Sequence, residues 1–330
     1  MTPTLLEIQA GHIERLPQRG VLPAQTHVFD QASILAINAA LASRRPLLVR
    51  GEPGIGKSQL AHATARCLKR PYLELVVDAR TEARDLLWSY DAVARLAEAQ
   101  LGNPLKLEHK ELEARLAVAR YVRPGPLWWA LNWESACKHP GCLAKPICDA
   151  GEDVSNGCVL LIDEIDKAES EVPNGLLEAL GNGRFVPFGE EHAVDAVGPP
   201  PLVIITTNEE RELPPAFLRR CWVLCLTLQD SRRGLEDDLR ARALAHFPSL
   251  GEKPAAVAVL DQAIKLVADQ RIDAKTELPV SGPLPRPGVA ELLDLLRAVT
   301  EMAPRSHKRQ CEILDDIQEF ALVKNRPTEL

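Results

Sequence analysis

Gly51-Glu52-Pro53-Gly54-Ile55-Gly56-Lys57-Ser58 sets a lysine and a hydroxyl directly behind three glycines. The segment fits G-x-x-x-x-G-K-[ST] at every fixed position. Glycines let the backbone bend until successive N–H groups point inward, an arrangement suited to phosphate oxygens. A helical pattern begins at Ser58, and its N-terminus adds a positive dipole end. Lys57 is expected to reach the β- and γ-phosphates of a nucleotide, and the Ser58 hydroxyl to ligate Mg²⁺. The expected ATP contacts run through Gly51, Glu52, Pro53, Gly54, Ile55, Gly56, Lys57, Ser58 and Gln59. A chance glycine-rich turn is the competing explanation. An apolar run before the loop and a helix after it speak against that.

A second constellation lies farther along. Cys158-Val159-Leu160-Leu161-Ile162-Asp163-Glu164 is an apolar strand that ends in two acids. Adjacent carboxylates at the end of a buried strand repel each other unless a cation sits nearby, and Mg²⁺ would be that cation. Asp163 would hold the ion, through its water shell. Glu164 would orient and polarise an attacking water.

The elements that must position these residues read as follows. Pro46 to Arg50 and Tyr72 to Val77 are short buried strands, as are Val159 to Asp163, Leu202 to Thr206 and Trp222 to Leu228. Helical patterns separate them, at Phe29 to Leu41, Ser58 to Leu68 and Ala168 to Leu180. Such alternation predicts an α/β fold, a parallel sheet covered by helices on both faces. The expected nucleotide-binding domain spans 28–228. It carries a charge-rich helical insert over about 81–126, a cysteine-containing insertion over about 134–157 and a hairpin over about 184–197. Residues 1–27 read as a loosely structured lead-in, 229–305 as a small helical lid and 306–330 as a helical tail.

Composition narrows the function class. The chain has 330 residues, 46% of them hydrophobic and 26% charged, enough for a full core plus a second small domain. A net charge of −7 argues against a mainly nucleic-acid-binding surface. The longest apolar runs are strand-length, far short of a membrane span. Met1 to Leu5 lacks the basic and apolar pattern of a signal peptide, so the expected compartment is the cytoplasm. Cys67, Cys221, Cys225 and Cys311 sit in apolar or helical stretches and read as small reduced hydrophobes. Cys137, Cys142, Cys148 and Cys158, with His139 nearby, leave two readings open. Only the first pair meets the Cys-x₂₋₄-Cys spacing of a structural zinc site, at its upper limit, so a plain loop with reduced thiols is favoured.

Several motifs together resemble one family. Leu161-Ile162-Asp163-Glu164-Ile165-Asp166-Lys167-Ala168 is similar to the second signature of AAA+ proteins, and Asn174 to Leu180 to the helix that follows it in the MoxR branch. The positions of the insert, its return through Arg123-Pro124-Gly125-Pro126-Leu127 and the hairpin before Leu202 also resemble that branch. The likeness covers roughly 28–300 and leaves out the lead-in, the cysteine insertion and the tail. It implies that Asn208, after Thr206-Thr207, is the polar sensor that helps place the lytic water. In Leu213 to Cys221 it implies an arginine finger that reaches a neighbour's γ-phosphate. Arg220 matches the finger, but Arg219 stands where Asp is common and Cys221 replaces an aromatic, so either arginine could serve. In Ser281 to Pro287, Arg286 matches a lid arginine that senses nucleotide.

The resemblance further implies a ring homo-oligomer, expected as a hexamer, that hydrolyses ATP to remodel a protein client. MoxR-type partners often carry a von Willebrand factor A domain. The chain also resembles ATPases of bacterial multi-protein conflict systems. Two other classes stay open. One is a nucleotide-operated switch or adaptor with hydrolysis as a timer. The other is a small-molecule kinase, which would have no use for Asn208 and Arg220.

Overall fold

A computed structural model describes residues 4–18, 24–102, 109–276 and 286–322. Its chain divides into two compact units. The first is built from the chain up to Ala10, Asp30–Arg50 and Ser58–Cys225. The second takes Gly11–Phe29, Gly51–Lys57 and the chain from Leu226 on.

The first unit is organised by a five-stranded sheet. Its strands are β1 (Leu47–Gly51), β2 (Tyr72–Val76), β3 (Val159–Asp163), β4 (Leu202–Thr207) and β5 (Trp222–Leu226), in the spatial order β5-β1-β4-β3-β2. The central strands are continuous apolar runs because helices cover both faces. Val159 to Ile162 and Ile204 and Ile205 are fully buried. The edges differ. β2 exposes Glu74 and Val76, and β5 alternates, with Leu224 and Leu226 inward and Val223 and Cys225 outward. Cys225, read from its apolar neighbours as a small reduced hydrophobe, is therefore an exposed thiol on an edge strand.

Parallel pairing aligns the carboxyl ends of the strands. Val76 lies opposite Asp163 and Thr207 opposite Arg50. Open α/β sheets bind ligands at that end. Helix α1 (Gln31–Ser43) starts at Asp30, whose side chain accepts from the Ser33 N–H at 2.6 Å. Helix α2 (Lys57–Cys67) follows β1, and α3 (Glu171–Asn182) follows β3 and stops at Gly183 in the left-handed conformation.

The insert over 81–126 is two helices, Ala92–Gly102 and His109–Arg115, bracketed by an antiparallel pair, Trp88–Tyr90 with Val122–Pro124. The hairpin expected over 184–197 pairs only Arg184–Phe185 with Val194–Asp195. Pro187, which has no N–H to give a ladder, follows shortly after. Trp128 and Trp129 are buried, and Trp129 meets Trp133 edge-on at 5.0 Å.

The second unit holds helices α4 (Arg232–His246), α5 (Pro254–Thr276), α6 (Val289–Met302) and α7 (His307–Leu322). Their buried stripes, such as Val259, Ala263, Val267 and Leu292, Leu296, Val299, recur every three to four residues. An antiparallel pair, Ile13–Leu16 with Gln25–Val28, belongs to this unit, within the lead-in read as loosely structured. Among the described residues no helix is long and apolar enough to cross a membrane.

Candidate functional site

In the first unit the acid pair sits at the carboxyl end of β3. The Ser58 hydroxyl donates to both Asp163 oxygens, at 2.9 and 3.1 Å. The buried Thr206 hydroxyl at the end of β4 also donates to Asp163. Thr206 Oγ1 in turn accepts the Glu164 N–H at 3.0 Å. A hydroxyl and a carboxylate converging in this way are hard oxygen donors of the kind Mg²⁺ takes, so these residues fit that ion.

Glu164 has a left-handed backbone, φ 59° and ψ 47°. For a side chain without hydrogen-bonding help of its own such a conformation costs about 1–3 kcal/mol, and such strain gathers at functional positions. Asn208 Nδ2 donates to Glu164 Oε1 at 3.2 Å, and Lys167 Nζ to its Oε2 at 2.5 Å. The hydrogen bond from Lys167 to Glu164 raises the lysine's pKa above its ordinary value. Asp166, also buried, accepts the Glu210 N–H at 2.9 Å and so fixes the turn after β4. Arg50 meets Glu209 at 3.3 Å.

In the second unit the glycine-rich loop has its own supports. Gly54 has φ +77°, and a Cβ there would lie 2.7 Å from the Ala290 Cβ. At Gly51 a Cβ would come within 2.4 Å of the Leu226 carbonyl oxygen. These two positions require glycine. Lys57 is 7% exposed, and its ammonium donates to the Gly51 and Glu52 carbonyls at 2.7 and 3.0 Å. Arg242 donates to the Ile55 carbonyl at 3.0 Å, and Arg271 pairs with Glu52 at 2.6 Å.

The structure brings Ser58 to Asp163, two residues expected to share Mg²⁺, and Asn208 to Glu164, the former expected near the lytic water from the family resemblance. Arg219 and Arg220 are exposed after a short helix, Pro215–Leu218. Cys221 packs toward the core, where burial pushes its thiol up to about 12. Of Ser281 to Pro287 only Arg286 and Pro287 fall among the described residues, and Arg286 is exposed. Reasoning from sequence passed over Thr206, Lys167 and Arg271. The first two lay inside the quoted motifs, where a hydroxyl before the sensor and a lysine three residues past the acid were the available signals. Arg271 left no local signal.

The cysteine insertion opens with a helix, Trp133–Lys138, and returns to the fold where Asp153 N–H donates to the Lys69 carbonyl at 3.0 Å. Cys158 is buried and its thiol is pushed up to about 12, whereas Cys148 is exposed. No three of Cys137, Cys142, Cys148 and Cys158 bring their sulfurs within 4.8 Å of one another.

Comparison with known proteins gives a family match. The model of the AAA domain, dynein-related subfamily, matches residues 46–221, more than half of the chain. No curated protein sequence matches. Among solved structures, a point mutant of Thermotoga maritima RuvB is similar at 16% identity and a TM-score of 0.43, with 88% of this chain and 70% of that one covered. A protein from Cytophaga hutchinsonii, described as a candidate ATPase, is similar at 15% identity and a TM-score of 0.37, with 88% and 79% covered.

Proposed function

The chain belongs to the AAA domain family, dynein-related subfamily, and on that premise we propose that it is a MoxR-like ATPase. It hydrolyses Mg²⁺–ATP to ADP and phosphate in a ring of its own copies, a hexamer, and the cycle remodels or activates a protein partner. A partner with a von Willebrand factor A domain fits the MoxR resemblance.

One observation carries the chemical part of this reading. The Glu164 carboxylate is held by Asn208 beside an Asp163–Ser58 oxygen pair, at the end of the sheet where the phosphate loop begins. Bound Mg²⁺ would neutralise charge on the β- and γ-phosphates. Lys57 would exchange its loop carbonyls for phosphate oxygens. Ser58 and Asp163 would hold the metal, and Glu164 would take the proton of the attacking water while Asn208 keeps the carboxylate aimed. Arg220, or Arg219 beside it, would reach the γ-phosphate of the next subunit. Their exposure is what such a role needs. Arg286 would sense the bound nucleotide, as the family resemblance implies.

The Lys167–Glu164 ion pair favours a second reading. With the base engaged by a cation at rest, hydrolysis would be slow, and the protein would be a switch in which ATP binding drives assembly. Both readings share a test. Lys57→Ala is expected to abolish Mg²⁺–ATP binding in calorimetric titration. Near-wild-type affinity in that variant would contradict the assignment of the loop.

A further inference from the structure

We propose that Arg271 is a positioning residue that locks the phosphate loop to the segment carrying Arg286, so that the helical unit sets nucleotide affinity. This rests on reading that loop as an ATP site. Arg271 lies on α5 and is only 6% exposed. One arm of its guanidinium pairs with the Glu52 carboxylate at 2.6 Å, and the other donates to the Pro287 carbonyl at 3.1 Å. Pro287 directly follows Arg286 in the chain. A planar guanidinium with its donors in a fixed fork therefore bridges the phosphate loop and the residue after Arg286 and sets their separation.

The pairing is not needed to solvate Glu52, whose side chain is 43% exposed and could face water. Arg271 is the member that is buried, and a buried cation must be compensated. Glu52 is also tied to the site from the other side, because its carbonyl accepts from Lys57 at 3.0 Å. A continuous path thus runs from Arg271 through Glu52 to the lysine expected to grip the phosphates. Two further contacts fasten the same loop. Arg242 donates to Ile55, and Gly54 packs against Ala290 on the first turn of α6. Charge gives Arg271 a second effect. An acid inside a phosphate-binding loop repels its ligand unless neutralised, and Arg271 neutralises Glu52.

These two effects predict a particular pattern in a double-mutant cycle, read as the Kd for Mg²⁺–ATPγS by calorimetry on the full chain. Arg271→Met, which leaves Glu52 uncompensated, should weaken binding about tenfold or more. Arg271→Lys keeps the charge without the fork and should fall between. Glu52→Gln keeps an acceptor for the buried guanidinium but not its countercharge, so it should fold with a lowered melting temperature and weaken binding by about threefold, since positioning is lost but no repulsion appears. The double variant should bind better than Arg271→Met, because the repelling acid is gone. A purely structural Arg271 would instead lower the melting temperature, leave the Kd of the folded fraction unchanged and give no rescue. A Kd within about twofold of wild type in both Glu52→Gln and Arg271→Met, or strictly additive losses, would overturn the proposal. Where Arg271→Met does not fold, an unchanged Kd in Glu52→Gln overturns it alone. Lys57→Ala separates the two levels of inference. If wild type itself fails to bind Mg²⁺–ATPγS, the ATPase reading falls. If wild type binds, Lys57→Ala does not, and the Arg271 and Glu52 variants match wild type, only the role of Arg271 falls.

Discussion

Glu164 accepts from a neutral amide on one carboxylate oxygen and from an ammonium on the other, and the two contacts have opposite consequences for a base. Asn208 orients the carboxylate without changing its charge balance. Lys167 occupies Oε2 and competes with water for it. Lys167→Met should therefore raise steady-state ATP turnover severalfold, by about 3–10, with little change in nucleotide affinity. A fall in turnover with unchanged affinity would show instead that the lysine helps to place the reacting groups. Alkaline pH should act in the same direction. The lysine's pKa is raised by Glu164, so the pair persists through the neutral range and is lost only as pH climbs through that raised value. At this scale Ser58, Asp163 and Glu164 stood out in the sequence because phosphate and metal chemistry would use those groups at those places, and Asn208 stood out through the family resemblance. Lys167 did not, since a lysine three residues after an acid is the commonest of surface pairs. Glu52 lay in the quoted loop, but Arg271 and its pairing with Glu52 were invisible for another reason. Their meeting depends on how α5 packs, and no local pattern records it.

The strands were the most legible elements. Val159 to Ile162 and Leu202 to Ile205 are continuous apolar runs because both of their faces are covered. The pair formed by Ile13–Leu16 and Gln25–Val28 escaped notice, because four-residue strands with mixed polarity give period-two reasoning too little to count. The phosphate loop shows how an element can be legible in type and hidden in support. Its glycines announced a bend, but that Gly54 lies against α6 is a fact of packing. Gly54→Ala should therefore both strain the backbone at φ +77° and push Ala290 aside, weakening Mg²⁺–ATP binding at least tenfold, on the order of 1.4 kcal/mol. Gly198→Ala is the control. Its φ is +87° with open space around the added carbon, so it should cost about 1 kcal/mol of stability and leave affinity unchanged. Equal affinity losses in the two variants would mean that backbone strain, and not contact with α6, governs the loop.

For the whole molecule the proposal is a ring in which one subunit completes its neighbour's site. An Arg220→Ala subunit should bind ATP but be inactive alone, since an arginine finger is worth about 10³–10⁵ in rate. Mixed with a Lys57→Ala subunit it should regain activity, because each lends what the other lacks. Silence across all mixing ratios in a verified mixed assembly would count against a shared site. If Arg219 is the finger, the same experiment with Arg219→Ala should behave in this way and Arg220→Ala should stay active. The central claim is that the acid at the end of β3 activates water for ATP hydrolysis, and Glu164→Gln tests it most directly. Asp163 and Ser58 remain to hold the metal, so Mg²⁺–ATP affinity should stay near wild type. Loss of the base should cut single-turnover hydrolysis by about 10²–10⁴. Measured side by side on one preparation, retained binding with that loss of turnover is the predicted result, and wild-type turnover in Glu164→Gln would contradict the account.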